Sequence, residues 1–278
     1  MFQTAVPMSA GSAWKRPGLP RAPAFTLLEV MVVTAVIALL VAVLLPALSR
    51  ARWQSRHLLC QSNLGSIAKA WQVYLVNSGG WFLKSVKAKD NYHINYGGRQ
   101  GVSSAYRGPK PLNRVLGLPL VTGSQAELFR CPFDAGGGSI RPTAFAHYGS
   151  SYLMNHLLVG QPKLVVAPSD PCREVLTALS GRIARISTAQ LSAESRLLLV
   201  GDYGWFNARE PAMSAEYHMD WHGRRMQHNA AFMDGHTAFV RIHKGLWQTD
   251  QYTLIPFAAQ QQAITGCQVH LTDACCAP

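Results

Sequence analysis

Residues 25–45 read FTLLEVMVVTAVIALLVAVLL, and among these 21 residues only Thr26, Glu29 and Thr34 are polar. A helix of this length spans roughly 30 Å, the thickness of the hydrocarbon core of a bilayer. A buried helix of a soluble core rarely runs so long without a polar stripe, and this run has none. Glu29 is the exception that needs a reason, because an ionised carboxylate inside a span costs about 2.5–3.5 kcal/mol and is kept for a partner or a function. A chain cut between Ala24 and Phe25 would carry a new α-amino group on Phe25. The carboxylate of one helix could then meet the amino terminus of a neighbouring helix, each charge neutralising the other in lipid. The plainer reading is a Glu near the helix end that reaches the headgroups.

Outward from the span, residues 1–24 are rich in Pro, Gly and Ala and carry Lys15, Arg16 and Arg21 with no acidic residue. This is the composition of a targeting leader, to be left out of fold reasoning. A secretory signal peptide fits poorly, since the apolar run is too long and Pro46-Ala47-Leu48 offers no small-x-small cleavage site. Arg50, Arg52 and Arg56 follow the span closely, so basic residues flank both ends and do not fix its orientation.

Beyond Pro46 the helical period continues. Cys60, Leu64, Ile67, Trp71 and Leu75 fall three or four residues apart, one apolar stripe that ends at the Ser78-Gly79-Gly80 stop. The expectation is one long helix from Phe25 to Asn77, with its first half in the membrane and its second half packed on a head.

At this point the sequence resembles a family. Ala24-Phe25-Thr26-Leu27-Leu28-Glu29-Val30 followed by an apolar helix looks like the prepilin-type cleavage and methylation motif of type IV pilins and of type II secretion pseudopilins. The resemblance implies cleavage between Ala24 and Phe25, N-methylation of Phe25, and Glu29 as the assembly carboxylate. Pro46 matches the proline such helices commonly carry, whereas Ala24 stands where the family usually has Gly.

The implied fold is α+β and pilin-like, a long N-terminal helix (membrane half plus amphipathic half) packed on an antiparallel β-sheet head. The boundaries are a leader at 1–24, a transmembrane helix at 25–45, an amphipathic continuation at 46–78 and a globular head at 79–278. The implied protein is a structural subunit and not an enzyme. It would be a single-pass protein of the inner (cytoplasmic) membrane with its head in the periplasm or outside the cell. Its partners would be a prepilin peptidase, other pilin or pseudopilin subunits, an inner-membrane assembly platform and membrane lipid.

The head reads as short strands and loops. Ser195–Val200 is expected to be a buried strand, and residues 102–120 an extended loop region. The run from Asn229 to Ile242 reads as a hairpin, with Asp234-Gly235 as a two-residue type I′ turn. Upstream, Glu216, His218, Asp220 and His222 alternate with Tyr217, Met219 and Trp221, which in a strand puts the polar groups on one face. His218, Asp220, His222 and Asp234 are therefore the candidate ligands of a structural divalent cation such as calcium. A solvated sheet face is the preferred reading, and no other cofactor is expected. Phe129-Arg-Cys-Pro-Phe-Asp134, Ser151-Tyr-Leu-Met-Asn155 and His222 followed, after eleven residues, by Asp234-Gly235 resemble a branch of prepilin-type proteins whose heads end in a His…Asp-Gly signature.

Six cysteines occur. Cys131 with Cys172, and Cys267 with Cys275 or Cys276, are the candidate disulfides, while Cys60 in the helix stripe reads as a small buried apolar residue. No GxSxG elbow, P-loop or GxGxxG is present, so nucleophilic and nucleotide chemistry have no positive signal. Residues are 48% hydrophobic and 14% charged, which excludes a disordered or coiled-coil chain. The net charge of +12 falls to +9 when the three basic residues of 1–24 are removed. These charges are scattered, so nucleic acid is not an expected partner. Two alternatives stay open, a membrane-anchored extracytoplasmic metal-dependent hydrolase and a DNA-binding minor pilin.

Overall fold

The computed structural model describes residues 26–84, 92–102, 106–120, 126–159, 170–210, 213, 217 and 219–275. By internal packing the chain divides into one unit up to Ala51 and a second from Arg52 onward.

Helix α1 runs without a break from Leu27 to Asn77, through Pro46. Thr26 opens it: its hydroxyl accepts from the Glu29 backbone N–H at 3.2 Å, and Glu29 Oε2 accepts from the Thr26 N–H at 2.8 Å. This reciprocal pair is a capping box, which satisfies two N–H groups that a helix start leaves orphaned. Every residue from Thr26 to Arg52 is exposed. Among the described residues α1 is the one helix long and apolar enough to cross a membrane.

In the second unit, α1 buries Cys60, Leu64, Ile67, Trp71 and Leu75 together with Ala68 and Ala70. The head has four antiparallel strands in the order β1 (Tyr152–Met154), β2 (Leu198–Asp202), β3 (Gln227–Phe232) and β4 (Thr237–Arg241). β2 is buried at all five positions, which is why it reads as a continuous apolar run; it starts three residues later than expected. Short helices fill the connections: α2 (Tyr92–Asn95), α3 (Ala144–Tyr148), α4 (Arg173–Arg182) and α5 (Gly204–Arg209). The chain closes with α6 (Ala258–Cys275), which packs on α4. This is the expected α+β arrangement of a long apolar helix and an antiparallel sheet.

Three local expectations are corrected. The β3–β4 turn is not type I′: Gly235 has φ +93° but Asp234 has no positive φ. The Phe232 carbonyl accepts from the Gly235 N–H at 2.9 Å and the Phe232 N–H donates to the His236 carbonyl at 3.0 Å. These are the bonds of a three-residue loop with Gly in the left-handed position. Residues 102–120 are not simply extended, since a 3₁₀ turn occupies Pro111–Arg114. The described part of 216–222 lies in no strand, because Met219 has φ +52° and breaks the extended run. There Asp220 Oδ1 caps the Met226 N–H at 2.8 Å, and Trp221 Nε1 donates to the Gly136 carbonyl at 2.7 Å.

The disulfide joins Cys172 to Cys267, which corrects both expected pairings. Cys172 is the residue before α4 and Cys267 lies in α6, so the packing of α4 on α6 brings them together. With Cys267 so bonded, neither Cys275 nor Cys276 closes a tail loop on it. Cys131 is drawn elsewhere, onto Cys60.

The motifs Phe129–Asp134 and Ser151–Asn155 carry the architecture. Asp134 accepts from the N–H groups of Gly136, Ala144 and Phe145 at 2.8–3.0 Å and from the Ser151 hydroxyl at 2.6 Å, tying the start of α3 to the approach to β1. Asn155 donates to the carbonyls of Leu198 and Leu254 and accepts from the Leu157 N–H, so a buried amide is fully engaged. Gly149, with φ +94°, ends α3 where an added Cβ would lie 1.9 Å from the Arg99 carbonyl oxygen.

Candidate functional site

Two features stand out, the opening of α1 and a buried cluster at one end of the sheet. At the first, Glu29 is exposed and held by Thr26, whose hydroxyl and N–H both donate to Oε2. Ala24 and Phe25, the expected cleavage and methylation positions, lie outside the described residues. The Thr26-x-x-Glu29 spacing was a readable signal for the helix start that the apolar run overshadowed.

The second feature is built by register. Tyr152 opposes Asp202 at the end of β2, and Gly201 opposes Ala230, so His228 and Asn229 of β3 come beside Asp202. His222 enters from the turns before β3, Cys60 from α1, and Cys131 from the loop after the 3₁₀ turn at Glu127–Phe129. All six of these groups (Cys60, Cys131, Asp202, His222, His228 and Asn229) are buried, at most 1% exposed.

Asp202 is the hub. Its Oδ1 lies 2.6 Å from His228 Nδ1, and its Oδ2 accepts from the Asn229 N–H at 2.8 Å and sits 3.3 Å from His222 Nδ1. The other ring nitrogen of His222, Nε2, is 3.6 Å from Cys131 Sγ and 3.0 Å from Asn229 Nδ2. Cys131 donates to Cys60, sulfur to sulfur 3.2 Å, and the Tyr152 hydroxyl reaches Cys60 Sγ at 3.5 Å. Aromatic rings of Phe133 and Phe239 enclose His222.

The charges follow from this packing. Burial pushes the Cys60 thiol up, but the hydrogen bond from Cys131 and the contact with the His222 imidazole outweigh it, and the net direction is down. Cys131 moves up, through burial and through the sulfur beside it. Burial pulls His222 down, while Cys60 and Asp202 outweigh it and raise the ring. His57, one turn before Cys60, is lowered by burial and by the charges of His222 and Arg224.

The expected cation set is not assembled. His222 belongs to the cluster, and Asp220 touches its edge, with Oδ1 3.7 Å from His228 Nε2. Asp234 sits in the exposed turn at the far end of β3, paired with His236 at 2.6 Å. At about 3.3 Å per residue, β3 separates it from the cluster by a strand's length. His218 lies outside the described residues. Cys60 is no plain apolar filler, because its sulfur faces a thiol and an imidazole. Among the described residues the three ligand atoms of Cys60, Cys131 and His222, all within 4.8 Å of one another, are the one group of His, Cys or acidic side chains placed to hold a metal ion. Sequence reasoning missed Asp202, although an acidic residue ending the apolar run Leu198–Gly201 was a visible anomaly.

Residues 20–45 match the family model described as the prokaryotic N-terminal methylation motif. No curated protein and no solved structure matches the chain. The apolar helix that Thr26 and Glu29 open thus carries a prokaryotic N-terminal methylation motif, and the long helix with its antiparallel sheet is consistent with an α+β, pilin-like fold.

Proposed function

We propose that the chain is a precursor cut between Ala24 and Phe25 by a prepilin peptidase, methylated on Phe25, and assembled through α1 into a pilus or a type II secretion pseudopilus. The observation that carries this reading is the apolar first half of α1, exposed at every residue from Thr26 to Arg52, whose single acidic residue, Glu29, stands in its first turn. An exposed apolar cylinder is stable only against lipid or other such helices. Before assembly the bilayer is its solvent, and afterwards the neighbouring subunits are. Glu29 sets the axial register by meeting the amino terminus of the next helix, a pairing that removes both charges from lipid at once. The head lies on the extracytoplasmic side and forms the outer layer. The protein acts as a substrate of processing enzymes and an assembly unit, not as a catalyst.

The test is intact mass and N-terminal sequence of the protein from membranes of cells that carry a prepilin peptidase. A chain that starts at Phe25 and is heavier by one methyl group supports the proposal. A chain that still starts at Met1 overturns it and leaves α1 as a plain signal anchor. Substituting Glu29→Ala separates the two steps: cleavage should persist while cross-linking between subunits is lost.

A further inference from the structure

We propose that Cys60, Cys131 and His222 form a binding site for a thiophilic divalent cation of the zinc class, which fastens the head half of α1 to the sheet. The donors come from three separate segments, a helix, a loop and the turns before β3, and converge in a buried space. Thiolate and imidazole select zinc or copper(I) over calcium, whose ligands are oxygens.

The distances suit coordination better than a disulfide. Around a tetrahedral zinc with ordinary bond lengths, two sulfurs stand about 3.7 Å apart and a sulfur and a nitrogen about 3.5 Å apart. Cys131 Sγ to His222 Nε2 is 3.6 Å, and Cys131 Sγ to Cys60 Sγ is 3.2 Å. A disulfide would need about 2.05 Å. The chain forms such a bond between Cys172 and Cys267 but leaves Cys60 and Cys131 as free thiols. A shift of half an ångström makes the sulfur pair a ligand edge, while bonding the two would require over an ångström of approach.

The surroundings supply the support that metal-bound histidines use. His222 presents Nε2 to the sulfurs and Nδ1 to Asp202, and Asp202 is itself anchored by His228 and the Asn229 N–H. A carboxylate behind the ring fixes its tautomer with the lone pair facing the metal. A disulfide or a pair of idle thiols has no use for this relay. Asn229 flanks the same point, and its Oδ1 is buried with no hydrogen-bond partner. Turning the amide over places that oxygen 3.0 Å from Nε2, beside the fourth position. On binding, both thiols lose their protons to solvent and become thiolates bound to the cation.

The site stands apart from the assembly reading, and its test does not depend on processing. Full-length protein is extracted in detergent without chelators and its metal content measured. It is then stripped and titrated with Co²⁺ as a spectroscopic probe. The expected result is about one zinc per chain and, with cobalt, a thiolate-to-metal charge-transfer band with tetrahedral d–d bands. Cys131→Ser and His222→Gln abolish these signals, while Asp202→Asn keeps the bands but weakens affinity about 10–100-fold. Absence of metal and of the charge-transfer band in the wild type overturns the proposal. Peptide mapping then distinguishes a Cys60–Cys131 disulfide from two free thiols. If the substituted chains do not fold, the wild-type cobalt spectrum alone decides.

Discussion

Lys110 shows what burial does to a single charge. Its ammonium is fully enclosed and donates to Asn95 Oδ1 at 2.8 Å and toward the Tyr148 carbonyl at 3.5 Å, with no carboxylate in either contact. Burial pushes its pKa down to about 7 from 10.5. Between those values the unfolded chain binds a proton that the folded chain does not, so stability rises with pH through this window and is lowest below pH 7. At about 1.4 kcal/mol per pH unit the rise amounts to a few kcal/mol. Thermal unfolding of the wild type should therefore shift upward from pH 7 to 9, and Lys110→Met should flatten that slope. Asp134 is the opposite case, a carboxylate whose acceptor capacity is used by three N–H groups and a hydroxyl. Asp134→Ala leaves those donors unmatched and should cost about 2–4 kcal/mol, read as a lower urea midpoint with an unchanged slope.

At the scale of elements, Trp71 anchors the head half of α1. It is fully buried and meets Tyr74, Phe82 and Tyr96 at ring separations of 5.4–5.9 Å. Trp71→Ala should cost about 3–5 kcal/mol in chemical denaturation, with Trp71→Phe recovering much of it. This stripe was readable because helix periodicity is local, and each apolar residue announces the next one turn away. The β3–β4 hairpin was readable for the same reason, although its turn type was not, since Asp-Gly serves more than one loop geometry. The alternation of 216–222 misled because period two is necessary for a strand but not sufficient. Met219 in a left-handed conformation, and Asp220 and Trp221 engaged with the backbone of other segments, override it. The buried cluster was illegible for a deeper reason. Cys60, Cys131, Asp202 and His222 are joined by sheet register and helix docking, neither of which leaves a trace in residue spacing. His222 was singled out for a cation set and Cys131 for a disulfide with Cys172, and the fold brings both into this cluster instead.

For the whole molecule, the division at Ala51 and Arg52 separates two kinds of solvent. Among the described residues, the buried apolar ones all belong to the second unit, and the exposed apolar run of α1 from Leu27 to Leu48 belongs to the first. A chain truncated to residues 52–278 should stay soluble without detergent and unfold cooperatively, as seen by near-ultraviolet circular dichroism during a thermal scan. Aggregation of that piece would mean that the head needs the apolar segment for more than anchorage. The apolar span was legible from length and composition, because a bilayer imposes both on any chain that crosses it, whereas the methylation motif was legible only as a resemblance of residues 24–30 to a known family.

The Cys172–Cys267 bond spans 95 residues and encloses β2, β3 and β4, together with Asp202, His222 and the turn at Asp234. A protease that nicks the backbone anywhere inside this ring leaves two fragments still tethered. On a gel run without reductant they migrate as one band, and the strands keep their neighbours. A nick before residue 172 has no such tether and leaves everything upstream of it, α1 included, held to the rest by packing alone. Covalent separation of the apolar segment from the ring is therefore governed by the chain upstream of Cys172, whatever happens within the ring.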